Sequence, residues 1–175
     1  MSGGLRPRLP GEFWKRMRLR VRKPSTLMIR FMLAGVATAI AVGILEVAAL
    51  TTGTPYWQVP FVTSIALVIG LPYAEASSRR ALIGGHVVAS LVGYAVLYTL
   101  GSSILTAAVA CGLAVTAMLA TRTMHPPAAV NPFLVVNENL GLGFLFGTTI
   151  PGAILLAVFA FVWNEVITVR WNRRG

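Results

Sequence analysis

Acid, cysteine and histidine are scarce in this chain. Its 175 residues hold five acidic side chains, one cysteine and two histidines, against fifteen lysines and arginines. The lone Cys111 excludes an internal disulfide. Two histidines without a compact acidic or cysteine cluster argue against a structural metal site, and no cofactor is expected. No nucleophile–base pair, phosphate loop or nucleotide fingerprint occurs, so an enzyme is not expected either. Charge as a whole is short. Only 11% of residues are charged, where a soluble domain carries roughly 25%. A globule of this size could not coat itself with so few ions.

What is present instead is apolar: 56% hydrophobic residues and a mean hydropathy of +0.75. The length fits one domain. Lipid requires backbone polar groups to pair internally. The expected fold class is therefore all-α, a polytopic transmembrane bundle of about five hydrophobic helices. The charges it does have are confined. Eight of the fifteen basic residues lie between Arg6 and Lys23, and three more are Arg170, Arg173 and Arg174. The formal net charge of +10 could suggest nucleic acid. These residues flank apolar spans rather than lining a folded face, however, so no nucleic-acid partner is expected. The mixed aromatic, aliphatic and basic run from Phe13 to Lys23 suits an anionic headgroup surface. It alternates at period two as well as fitting a helical stripe, which leaves its secondary structure open. No apolar core with a small-residue cleavage site follows the first arginines, so a secretory signal is not expected; a mitochondrial-type presequence is the alternative.

A helix needs about 20 residues to cross the hydrocarbon. On that measure residues 1–25 form a basic arm, 26–169 a single transmembrane domain and 170–175 a basic tail. Spans are expected at about 28–50, 59–73, 81–100, 103–120 and 143–169. Thr51-Thr52-Gly53-Thr54-Pro55 closes the first, with Tyr56-Trp57 as an aromatic belt. Pro60 falls in the first turn of the second, where a missing N–H costs little. Small residues recur every fourth position at Gly35, Ala39 and Gly43, and again at Gly85, Ala89 and Gly93. Close backbone approach at such residues supports helix packing in lipid. Both stripes are expected to face neighbouring helices, within the protomer or across a homo-oligomer. The competing view is that glycine and alanine are simply common in membrane helices.

Orientation holds a contradiction. A cytoplasmic N-terminus places Arg79, Arg80 and Arg122 on the cytoplasmic side after two and four crossings, as the positive-inside rule asks. A single further crossing would put the basic tail outside. The expectation that resolves this is a discontinuous crossing over about 125–140, with both ends cytoplasmic; a re-entrant turn is the alternative. Irregular backbone at membrane depth is tolerated only when buried in protein or lining a cavity.

That stretch begins Thr121-Arg122-Thr123-Met124-His125-Pro126-Pro127-Ala128-Ala129-Val130-Asn131-Pro132. Residues before proline are pushed out of the α region, so His125 and Pro126 should be extended. Pro127 suits a first helical position, and Pro132 suits another with Asn131 as its N-cap. Either start aims free N–H groups and a positive dipole end at a small volume, as broken helices in transporters do. Thr121, Arg122, Thr123, His125 and Asn131 would surround an anion there with donors. The bland alternative is a structural turn whose polar groups satisfy one another. Among the other ionisable groups, Glu75 beside Arg79 and Arg80, and Glu165 ahead of Arg170, are expected to be interfacial and partly paired. Glu46 can snorkel. His86, within a span, is either a substrate contact or a structural hydrogen-bonding group.

His125-Pro126-Pro127-Ala128 after a Thr-Arg-Thr run resembles the HPP family of integral membrane proteins. Arg80-Ala81-Leu82-Ile83-Gly84-Gly85-His86 is similar to the family's third-helix motif, and Pro60-Phe61-Val62-Thr63-Ser64-Ile65-Ala66-Leu67 to its second helix. The resemblance covers about Thr26 to Val169. It implies a transporter or channel for a small monovalent anion, nitrite first, in a bacterial inner membrane. Beside His86, the substrate-binding candidates also include Arg80, Ser64, Pro126 and Pro127. Two positions depart from the family pattern: Ala129 stands where a glycine is usual, and Ser78-Arg79-Arg80 where Gln-Pro-Arg is frequent. A CBS-type regulatory domain, carried by some members, is not expected in this length. The function from a different class is a non-transporting membrane module that assembles with a partner through its Gly/Ala stripes.

Overall fold

The computed structural model describes residues 24–53 and 59–163. The basic arm as far as Lys23, the Tyr56-Trp57 belt, Glu165 and the arginines of the tail lie outside the described residues. Internal contacts divide the chain into Met1–Val36 and Ala37–Gly175. The first unit holds the opening of one helix; the second holds everything else below.

Among the described residues there are six α-helices and no strand: α1 Pro24–Thr52, α2 Val59–Gly70, α3 Arg79–Leu100, α4 Ile104–Ala120, α5 Val130–Asn137 and α6 Ile150–Val162. The all-α fold class is as expected. Among the described residues, three helical stretches are long and apolar enough to cross a membrane, Phe31–Thr52, Arg79–Leu100 and Leu145–Val162. α2 is shorter than the run expected to Tyr73. Its 12 residues span about 18 Å, less than the hydrocarbon thickness, and it ends at Gly70 because Pro72 cannot continue it.

Local chemistry sets the helix ends. α1 closes on Gly53 at φ +66, while the Thr51 and Thr52 hydroxyls return to the Val47 and Ala48 carbonyls at 2.9 and 2.7 Å. Ser78 caps α3 by accepting from the Ala81 N–H at 3.2 Å, so the Ser78-Arg79-Arg80 run opens the helix with a side-chain cap. Ser103 and Thr106 form a reciprocal capping box at the start of α4. α6 is preceded by a π turn, Leu145–Thr149. Pro151 explains it: its ring would collide with the carbonyl four residues back, and a wider turn relieves that.

α3, α4 and α5 enclose the core. One cluster joins Tyr94, Leu97, Ala107, Ala110 and Val135; another joins Ala89, Ala114, Met118 and Ala128. Alanines dominate the second, so the backbones lie close there. In the second unit, α1 buries Ala37, Ala41, Leu45 and Ala49. Ala41 and Leu45 share a small apolar cavity of about 40 Å³ with Ile65 of α2 and Leu155, Leu156 and Phe159 of α6.

Candidate functional site

α4 stops at Thr121. The Thr123 N–H reaches back to the Met118 carbonyl at 2.8 Å and the Arg122 N–H to Leu119 at 3.1 Å. This is a Schellman closure, whose left-handed position normally falls to glycine. Here it is Arg122, at φ +55. A non-glycine residue held there costs on the order of 1 kcal/mol. Arg80 caps the same end by donating to the Thr121 carbonyl at 2.7 Å, and the Thr121 and Thr123 hydroxyls bond at 2.7 Å.

The chain then runs extended through His125, at φ −129 and ψ 95, before a 3₁₀ turn over Pro126–Ala129 leads into α5. This segment lies along the small-residue stripe of α3. A Cβ on Gly84 would stand 2.6 Å from Thr123 Cγ2, one on Gly85 2.8 Å from the Thr123 carbonyl oxygen, and one on Gly93 2.8 Å from Pro132 Cα. No side chain fits there without displacing the segment. The Gly84-Gly85-His86 motif and the Thr123–Pro127 stretch are two halves of one contact.

One turn of that contact is polar throughout. Ser64, His86, Ser90, His125 and Asn131 are all fully buried. Ser64 Oγ lies 3.0 Å from His86 Nε2, 2.9 Å from His125 Nε2 and 3.0 Å from the Pro60 carbonyl. His125 Nδ1 donates to the Ala76 carbonyl at 2.7 Å. Asn131 Nδ2 donates to the His86 carbonyl at 3.2 Å and Ser90 Oγ at 3.0 Å, and lies 3.1 Å from His86 Nδ1. Among the described residues, Asn131 Oδ1 is buried with no partner. The two imidazole centroids are 5.2 Å apart, and the Phe61 ring lies 4.8 Å from that of His86. Burying this much polarity in an apolar bundle is costly unless each group is paired.

Beside the network is a cavity of about 380 Å³ lined by Glu75, Ala76, Ala81, Leu119, Arg122 and Met124. Ala76 belongs to both, since its carbonyl takes the His125 proton. Among the described residues, nothing pairs with the Arg122 guanidinium. Arg79 lies over the Phe161 ring at 5.5 Å and Arg80 caps α4, so neither forms the expected pair with Glu75.

A family model describing the HPP transmembrane region matches residues 21–173. The chain belongs to the HPP transmembrane family. Two Dictyostelium discoideum proteins named only as transmembrane proteins are similar to it. One is 29% identical over 113 residues, covering 60% of this chain and 40% of its own. The other is 27% identical over 113 residues, covering 60% and 36%. The HPP chain thus spans well under half the length of these relatives. No solved structure matches it.

The sequence candidates fall into three groups. His125, Ser64, His86 and Asn131 join in the buried network. Arg122 reaches the cavity. Thr121, Thr123 and Arg80 are taken up in closing α4, and Pro126 and Pro127 shape the 3₁₀ turn. Two expectations need correction. Asn131 is not an N-cap: α5 begins at Val130, and the Asn131 amide is held by His86 and Ser90 instead. Pro126 is not extended, because the 3₁₀ turn starts on it. The departure at Ala129 is harmless to the backbone, since φ −63 and ψ −13 suit any residue. Ser90 was missed, although it stands one turn after His86 on the same helix face. The Ala76 carbonyl was missed as well, and as a backbone atom it leaves no trace in residue identity.

Proposed function

We propose that this HPP protein is a transporter or channel for a small monovalent anion, nitrite first among them, and not an enzyme. The observation that carries the reading is Arg122. It is kept at a left-handed position against a backbone cost, with its guanidinium unpaired among the described residues, on the wall of a cavity next to the buried histidines. A guanidinium is always cationic and its fork can hold two oxygens at once. Glu75 on the same wall opposes the anion. Such opposition suits a permeating ion, which must bind well enough to enter and weakly enough to leave. Other supports are the family resemblance to members associated with nitrite transport and the general cost of intramembrane polarity. On this reading the protein sits in a bacterial inner membrane with both ends cytoplasmic and its basic arm against anionic headgroups.

Purified protein in liposomes should pass nitrite faster than protein-free liposomes, with Arg122→Gln lowering apparent affinity and flattening its fall as salt rises. Flux equal to empty liposomes across a panel of small anions would end the reading. A second reading, a non-transporting module that assembles with a partner or a second copy, draws on one observation. Among the described residues, a Cβ on Gly35 or Gly43 of α1 would meet nothing within 4 Å. Cross-linking in the same liposomes, with no anion flux, would favour it.

A further inference from the structure

The hydrogen-bond partners decide where protons sit in the buried network. The Ala76 and His86 carbonyls can only accept. His125 must therefore carry its proton on Nδ1, which faces Ala76, and Asn131 must turn its amide nitrogen toward His86. The amide nitrogen has hydrogens to give and cannot accept one from His86 Nδ1, so the His86 proton is on Nε2. Between the rings, Ser64 Oγ accepts from His86 Nε2 and donates to the bare Nε2 of His125. Both tautomers are locked by backbone carbonyls, and the neutral array runs one way, His86 to Ser64 to His125.

Ser64 has one partner more than this state uses. The Pro60 carbonyl, 3.0 Å from Oγ, can take the hydroxyl proton instead. If His125 Nε2 gains a proton, it donates to Ser64, Oγ accepts from both rings, and the hydroxyl swings to Pro60. No heavy atom has to move. His86 has no such option, since a proton on Nδ1 would face the Asn131 N–H. A second imidazolium with its centroid 5.2 Å from the first would also be repelled.

We propose that His125 Nε2 is a single-proton site switched by the Ser64 hydroxyl, and that the anion moves together with this proton. In the step, an acid in water loses a proton and becomes its conjugate base. An N–H bond forms at His125 Nε2, and the array passes from neutral to +1. One such charge balances one monovalent anion, so the transport cycle is electroneutral. The other charged groups near His125 are Glu75 and Arg122 on the adjoining cavity and Arg80 at the end of α4. α2, α5 and α6 bring no ionisable side chain among the described residues. The coupling half rests on the anion reading above; the proton site does not.

The chain has only two histidines, so ring-nitrogen NMR of the full protein in lipid bilayers resolves two imidazoles. On lowering pH, one ring should pass from Nδ1–H to doubly protonated while the other stays Nε2–H. In liposomes, an inward proton gradient should drive nitrite above equilibrium without needing a membrane potential. Ser64→Ala removes the acceptor of a charged hydrogen bond, and proton occupancy at fixed pH should fall about tenfold. Ser64→Thr keeps the hydroxyl and should restore it. A His125 ring that stays neutral at every pH at which the protein remains folded overturns the proposal, whatever the flux. A ring that titrates while nitrite flux ignores the proton gradient overturns the coupling and leaves the site. A ring that titrates with no anion flux at all keeps the site and removes the anion reading instead.

Discussion

The first and third helices carry the same spacing of small residues, Gly35, Ala39 and Gly43 in one and Gly85, Ala89 and Gly93 in the other, yet the two stripes meet different surroundings. In α3 every member is buried, and Thr123, His125 and Pro132 lie within van der Waals reach of the glycines. In α1 the three small residues are exposed. The buried residues there are Ala37, Ala41, Leu45 and Ala49, offset by two positions and so about 200° around the helix. A small-residue spacing therefore tells that a backbone could come close. Whether one does depends on what else the chain has to lay there. For α3 it is a segment that cannot be an ordinary helix at its start, because prolines interrupt it, and whose free polar groups need a polar bed.

The largest expected effect breaks this comparison if it fails. Gly85→Leu would place side-chain atoms into the Thr123 carbonyl and His125, where even a Cβ is too close. Overpacking typically costs 1–3 kcal/mol, and the upper end is expected because backbone, not a flexible side-chain tip, is in the way. Gly43→Leu adds atoms to open space and should leave the melting temperature in detergent unchanged. Equal losses in both variants would mean that the α1 stripe is also a packed surface, as it would be in an oligomer. Size-exclusion of the same samples separates the two causes.

A middle-sized effect sharpens what the α3 stripe is for. His125→Gln can still donate to the Ala76 carbonyl or meet Ser64, but not both with the geometry of a ring, so a loss of about 1–2 kcal/mol is expected. Glutamine does not titrate. Nitrite flux should persist at a fraction of the parent and lose its pH dependence. If flux follows pH as the parent does, His125 contributes hydrogen bonding alone.

Much of the fold was legible in the sequence, because apolar runs, capping serines and prolines act locally. The helices at 79–100 and 104–120 fall within two residues of the expected 81–100 and 103–120. The site was half legible. Gly84-Gly85-His86 and His125-Pro126-Pro127 announced themselves as motifs, but not that one is the socket of the other. Asn131 misled because its residue type favours a cap, while a buried imidazole and Ser90 offered it better partners. Arg122 was read as an anion contact from its charge. That it occupies a glycine-type backbone position could not be seen, because nothing local demands a left-handed residue until the chain has to turn onto α3.

The smallest effect concerns that same arginine, at the point where the segment leaves α4 for its bed. If Arg122 were present for stability, replacing it should weaken the fold. The geometry makes the opposite forecast. Arg122→Gly relieves a left-handed backbone at φ +55, a gain on the order of 1 kcal/mol, partly offset by the extra freedom of glycine in the unfolded chain. A net rise in melting temperature of a degree or two is expected. The Arg80 bond to the Thr121 carbonyl does not involve the Arg122 side chain and should persist. The same variant removes the cation from the cavity wall and leaves Glu75 there alone, so apparent nitrite affinity should fall. Arg122→Gln separates the two effects: it keeps the backbone cost, loses the charge, and should match glycine in affinity but not in stability. A glycine variant that melts lower than the parent would show that the guanidinium has a structural partner, and the case for an anion at that wall would lose its main support.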